Sequence, residues 1–156
     1  MTARIHIYDN KQFGAVYQAM AGLAAVVRNS TLEPALRALV KVRVSQINGC
    51  AFCIEMHTRD ARAAGETEQR LYLLNAWRAA PFYTKRECAA LEWAEAVTRL
   101  EHQCVSDEVY ERTQRVFSEE ELAMLNLAVV EINGWNRFSI AFQMEPGSFR
   151  PPQRAA

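Results

Sequence analysis

Cys50, Cys53 and His57 are the residues whose types and spacing can do chemistry in this chain, and they fall within NGCAFCIEMH, residues 48–57. Two thiols three residues apart can bind a metal, close a structural disulfide, carry out redox chemistry or simply fill a core. On a helix, side chains three or four residues apart share a face, with Cβ atoms about 5–6 Å apart. Cys50 then neighbours Cys53, Cys53 neighbours His57, and Asp60 lies one step further along the same stripe. The i, i+3 separation lies within disulfide range, so the pair can close without unwinding a helix.

Position matters as much as spacing. Asn48-Gly49 reads as a helix stop, which places the cysteines in the first turns of the next helix. Unpaired N–H groups and the macrodipole favour a thiolate there. An imidazole at i+4 from Cys53 can accept its proton and hold the anion as an ion pair. A low-pKa thiol beside a second thiol is the arrangement of an oxidisable cysteine and its resolving partner. Zinc is a competing reading. Cys50, Cys53 and His57 supply three ligands, but four-coordinate zinc needs another, and the sequence has no second CxxC and no His pair. Inert burial is the third reading, since free cysteines are often core residues.

The elements that must hold these residues read as helical almost throughout, apart from a faint strand signal at residues 4–8. A first helix is expected after Asp9, a good N-cap, running to about Arg28 with Phe13, Val16, Tyr17, Met20, Leu23, Ala24 and Val27 on its apolar face. A second starts near Pro34 and carries Leu36, Leu39, Val40, Val42 and Val44 to the Asn48-Gly49 stop. The cysteine helix ends at Gly65. A fourth, capped by Thr67, puts Leu71, Leu74 and Trp77 inward and closes before Pro81. Thr84 with Glu87, and Ser118 with Glu121, spell capping boxes for two long helices, and Ser106 caps a short one between them. The expectation is an all-α domain of six or seven helices over residues 1–156, with a flexible Pro-rich tail from about residue 145.

The chain has 156 residues with 18 basic and 18 acidic side chains, so it offers no electrostatic footprint for nucleic acid or an anionic membrane. Its length suggests one domain burying roughly 70% of the unfolded surface, enough for a core without metal or disulfide staples. The N-terminus lacks the apolar region of a signal peptide, and the longest apolar stretch is too short to span a bilayer. A cytoplasmic location is the expectation, and a close cysteine pair there points to catalysis or metal rather than a disulfide framework.

The stretch LRALVKVRVSQINGCAFCIEMHTRDARAAGETEQRLYLLNAW, residues 36–77, resembles the core of the AhpD-like alkylhydroperoxidase and carboxymuconolactone decarboxylase superfamily, whose thiol branch carries CxxCxxxH. The similarity extends through ALEWAEAVTRL at 90–100 and NGWNRFSIAF at 133–142, most of the chain. The resemblance implies an all-α fold, trimers or hexamers, and peroxide reduction through the Cys50–Cys53 pair. It implies Cys53 as the attacking thiol, Cys50 as the more accessible resolving thiol and His57 as the proton relay. A lipoyl-type or other dithiol would be the reductant, with no haem, flavin or metal. The alternative is a thiol–disulfide oxidoreductase or redox-sensing module that ignores peroxide. A non-redox binding role, as in the decarboxylase branch, works without the cysteine pair that this chain has.

One position departs from the family pattern. A relay glutamate commonly stands twelve residues before the first cysteine, and here that position is Ala38. Asp60, Glu55, Glu92 and Glu95 are the candidates to replace it, with Asp60 favoured by its i+3 spacing from His57. Cys88 is expected to be buried, Cys104 to lie in a connection beside His102, and His6 to have no partner. Phe52 and Ile54 either shape an apolar approach or pack the core. Trp135 and Phe138 read as pocket or subunit-interface residues.

Overall fold

A computed structural model describes residues 3–5 and 13–149. The helices are α1 (Gly14–Arg28), α2 (Pro34–Asn48), α3 (Ala51–Ala63), α4 (Glu68–Tyr72), α5 (Lys85–Arg99), α6 (Asp107–Gln114) and α7 (Glu119–Ala141), with short 3₁₀ turns at Leu74–Ala79 and Glu101–Gln103. Among the described residues there is no strand, and the all-α expectation holds. His6, the cap assigned to Asp9 and the tail beyond residue 149 lie outside the described residues.

Local chemistry accounts for most boundaries. Pro34 occupies the first turn of α2, and Gly49 ends that helix in the left-handed conformation at φ 67°. The Thr84 and Ser118 hydroxyls accept the N–H of Glu87 and Glu121, and each glutamate accepts the cap residue's own N–H at 2.7 and 2.9 Å. Thr67 and Ser106 cap α4 and α6 in the same way without the reciprocal bond.

The fourth expected helix is broken. α4 has five residues, and the chain then tightens into a 3₁₀ turn with Ala76 off helical geometry. That turn stacks Leu74 and Trp77 on one side, and Trp77 reaches inward to donate Nε1–H to Glu95 at 2.9 Å. α1 also differs from expectation. Of the seven residues on its apolar stripe only Val27 is buried, because α1 packs chiefly on α7 and lies at the edge of the fold.

α2 is the central element, packed on α3, α5 and α7. Leu36, Val40 and Val44 meet Ala90, Trp93 and Ala94 of α5 and Leu125, Val129 and Ile132 of α7 in the main core. Leu39 and Val42 turn the other way, toward Ala61, Leu71, Leu74, Trp77 and Leu91. These two layers clamp α2 and thereby fix the corner from which α3 departs.

Candidate active site

The corner between α2 and α3 sets the thiols. Cys50 is the N-cap of α3, with φ −82° and ψ 90°, its own N–H donating to Ser45 O at 3.0 Å and its carbonyl accepting from Ile54 N–H at 2.9 Å. Cys53 sits one turn further on. Both thiols are free and buried, each about 1% exposed, in a small cluster with Phe52, Met56, Met144 and Phe149. The structure thus brings together the two cysteines that the sequence singled out.

The pair shares its charge unevenly. The Cys53 thiol donates to the Cys50 sulfur, and this pulls the Cys50 pKa down to about 7 against an opposing effect of burial. The backbone N–H groups of Cys53 and Phe52 and the Ser139 hydroxyl add to the lowering. The same hydrogen bond, then burial and the charge on Cys50, push Cys53 upward, with Ser139 and Asn136 offsetting only part. Cys50 is therefore the more acidic thiol of the pair, and Cys53 the one that holds its proton.

α7 supplies polar partners that were not anticipated. Cys53 Sγ lies 3.5 Å from Ser139 Oγ. Buried Asn136 donates to Ser45 Oγ at 3.0 Å and accepts from Asn48 at 2.8 Å, and Asn48 also donates to Asn133 at 2.9 Å. Ser45 and Asn48 on α2 face Asn133 and Asn136 on α7, and Ser139 continues the α7 row toward Cys53, each row at three-residue spacing. That polar row in an otherwise apolar NGWNRFSIAF helix is the signal that could have revealed it.

An open cavity of about 680 Å³ borders Cys50, with Phe52, Ser139, Ile140, Gln143 and Met144 on its walls. Residues 144–149, expected as loose tail in part, pack along α3. The Phe149 ring meets Phe52 edge-on, with centroids 6.4 Å apart, and Gly147 N–H donates to Glu55 at 3.2 Å.

His57 lies apart from this opening, on a second cavity between α1, α2 and α3 that Ala38 and Lys41 also line. Burial, then the Lys41 charge, lowers its pKa to about 3, so the imidazole is neutral at ordinary pH. Its Nε2 is buried and has no hydrogen-bond partner. The proposed substitute carboxylates bond elsewhere. Asp60 is exposed, 3.6 Å from Arg59; Glu55 binds Arg59 and Gly147; Glu92 binds Arg112 at 2.9 Å. Glu95 is buried under Arg43, Arg78 and Trp77 at 2.7, 2.6 and 2.9 Å.

The remaining thiols are ordinary. Cys88 is half-buried rather than buried, with its pKa raised mainly by burial, and Cys104 is exposed beyond the second 3₁₀ turn. Trp135 packs on Tyr17 and Phe138 on Phe142, so both make contacts within the chain. Among the described residues no group of three or more His, Cys, Asp or Glu is placed to hold a metal, and no helix is long and apolar enough to cross a membrane.

Residues 13–96 match the carboxymuconolactone decarboxylase family. The chain is 44% identical over 141 residues to the uncharacterised protein YdfG of Bacillus subtilis (strain 168), covering 90% of this chain and 95% of that one. Among solved structures it resembles ATU0492 from Agrobacterium tumefaciens, a protein of unknown function with a suggested identity as the antioxidant defence protein AhpD. That likeness has a TM-score of 0.89 at 35% identity and covers 95% of this chain and 100% of the other. An uncharacterised peroxidase-related protein from Silicibacter sp. TM1040 shares the fold at TM-score 0.76 and 22% identity, over 87% of this chain and 73% of that one.

Proposed function

The chain belongs to the carboxymuconolactone decarboxylase family, and within it we propose a thiol-dependent peroxidase of the AhpD-like kind that works through Cys50 and Cys53. The observation that carries this reading is the clustering of two free thiols, Cys50 and Cys53, at the start of α3, with Cys50 on the wall of an open cavity and its pKa lowered by its neighbour. The Cys50 thiolate attacks one peroxide oxygen, the O–O bond breaks, and the leaving alkoxide takes the Cys53 proton to depart as the alcohol. Cys53, now a thiolate, attacks the Cys50 sulfenic acid. The S–S bond forms and hydroxide leaves, to be protonated by solvent. An external dithiol of lipoyl type returns both thiols.

This order differs from the one the resemblance implies, in which Cys53 attacks and His57 accepts its proton. The proton relay here is Cys53 itself, because His57 carries no negative partner and faces Lys41. Ser139 and Asn136 stabilise the charge when it moves to Cys53.

The test is to add cumene hydroperoxide to reduced protein and count thiols. Wild type should lose both members of the pair, and Cys53→Ser should stop at a Cys50 sulfenic acid that dimedone traps. Wild type retaining all its thiols would overturn the reading. Closure of the pair by oxidised glutathione but not by hydroperoxide would reassign it to disulfide exchange.

A further inference from the structure

The second cavity, about 290 Å³ between the end of α1, α2 and α3, is lined by three cationic side chains, Arg28, Arg37 and Lys41, together with His57. Lys41 is balanced by buried Glu131 at 2.9 Å. Arg37 donates to the carbonyls of Val27 and Arg28 at 2.8 and 2.7 Å and so closes the end of α1. Among the described residues no carboxylate forms a salt bridge with Arg28 or Arg37. Asp60, the acid on the cavity's rim, is 60% exposed and leans toward Arg59.

The charges lining this cavity act on one another. Burial and the neighbouring Arg28 both lower the Arg37 pKa, and burial and Lys41 lower that of His57. Arg28 and Arg37, which face this space with no carboxylate in salt-bridge reach among the described residues, are held at a cost that an anion would relieve. His57 Nε2 is also a buried polar atom without a partner, and such atoms call for a ligand or water. Ala38, with a one-carbon side chain, leaves the space open, and Val27 gives it an apolar wall.

We infer that this cavity binds a small organic carboxylate, its anionic end among Arg28, Arg37 and Lys41 beside His57 and its short apolar body against Val27 and Ala38. The volume suits a molecule about the size of benzoate, at the small end of ordinary ligand cavities of about 300 Å³ upward. This cavity and the Cys50 opening share no lining residue, so binding here can be tested apart from the peroxide reading.

Calorimetric titration and thermal melting of the full chain with sodium benzoate, inorganic phosphate, or sodium chloride at matched ionic strength test the inference. Benzoate should bind saturably and raise the melting temperature, with phosphate at least tenfold weaker. Arg28→Gln should weaken benzoate at least tenfold; the Arg28 side chain is exposed at the end of α1, so the fold should survive. Ala38→Glu, which places a carboxylate in the cavity, should abolish benzoate binding without lowering the melting temperature. Cys50→Ser should bind benzoate as wild type does, which separates this result from failure at the thiols. A benzoate effect no larger than that of chloride, undiminished binding by Arg28→Gln, or phosphate binding as tightly as benzoate would each overturn the inference.

Discussion

One proton between two sulfurs decides what Cys50 and Cys53 can do. The Cys53 S–H donation is the largest influence on Cys50, and burial works against it. The sign follows directly. A lowered Cys50 pKa means that thiolate accumulates as pH rises through about 7, below the ordinary thiol value of 9.0. Iodoacetamide should therefore alkylate Cys50 with an inflection near pH 7. Cys53→Ala removes the donor and should move the inflection upward, slowing alkylation at pH 7 by about tenfold or more. An unchanged profile in Cys53→Ala would mean that the helix N-terminus alone sets the thiolate. The sequence identified both cysteines and their spacing, because i, i+3 geometry is local. It did not reveal which sulfur keeps the proton, because Ser139 and Asn136 reach the pair from α7, more than 80 residues along the chain. Nor did it show that a lysine rather than an acid would act on His57, since that depends on how α2 packs against α3.

At the scale of elements, the caps were legible and the break after Tyr72 was not. Thr84, Ser118 and Gly49 act through atoms within a few residues, so their patterns survive in the sequence. The 3₁₀ turn at Leu74–Ala79 exists because Trp77 reaches a carboxylate on α5, a demand no local pattern states. The Gly49 corner matters most for function, since it hands Cys50 to the start of α3. Its φ of 67° lies where an L side chain is strained, yet an added Cβ would meet nothing within 4 Å. Gly49→Ala should therefore destabilise through backbone strain alone, by about 1 kcal/mol. Gly22, inside α1 with equally open space, should respond in the opposite direction, with Gly22→Ala stabilising by about 0.5–1 kcal/mol. Urea denaturation midpoints check both. Equal and same-signed shifts would show that the corner's left-handed backbone is not what costs Gly49→Ala its stability.

At the scale of the whole molecule, the expected apolar stripe of α1 is the unfinished part of the fold. A helix with apolar residues at i, i+3, i+4 spacing normally buries them, yet within one protomer α1 buries only Val27 and packs chiefly on α7. Val16 and Val26 on α1 are 40% and 49% exposed, and Val130 and Ile140 on α7 are each 48% exposed. Single exposed valines are unremarkable on any surface, but here they fall on two helices that pack together at the edge of the core. We propose that self-association covers α1 and α7, with a trimer or hexamer as the product. Sedimentation equilibrium at micromolar concentration should give a mass at least three times that of one chain. Val26→Glu, which adds a charge to an already exposed position, should leave the protomer folded by circular dichroism while shifting the mass toward a single chain. A wild-type protein sedimenting as one chain would instead make α1 a solvent-facing helix, held on α7 by contacts such as the tilted Tyr17–Trp135 pair.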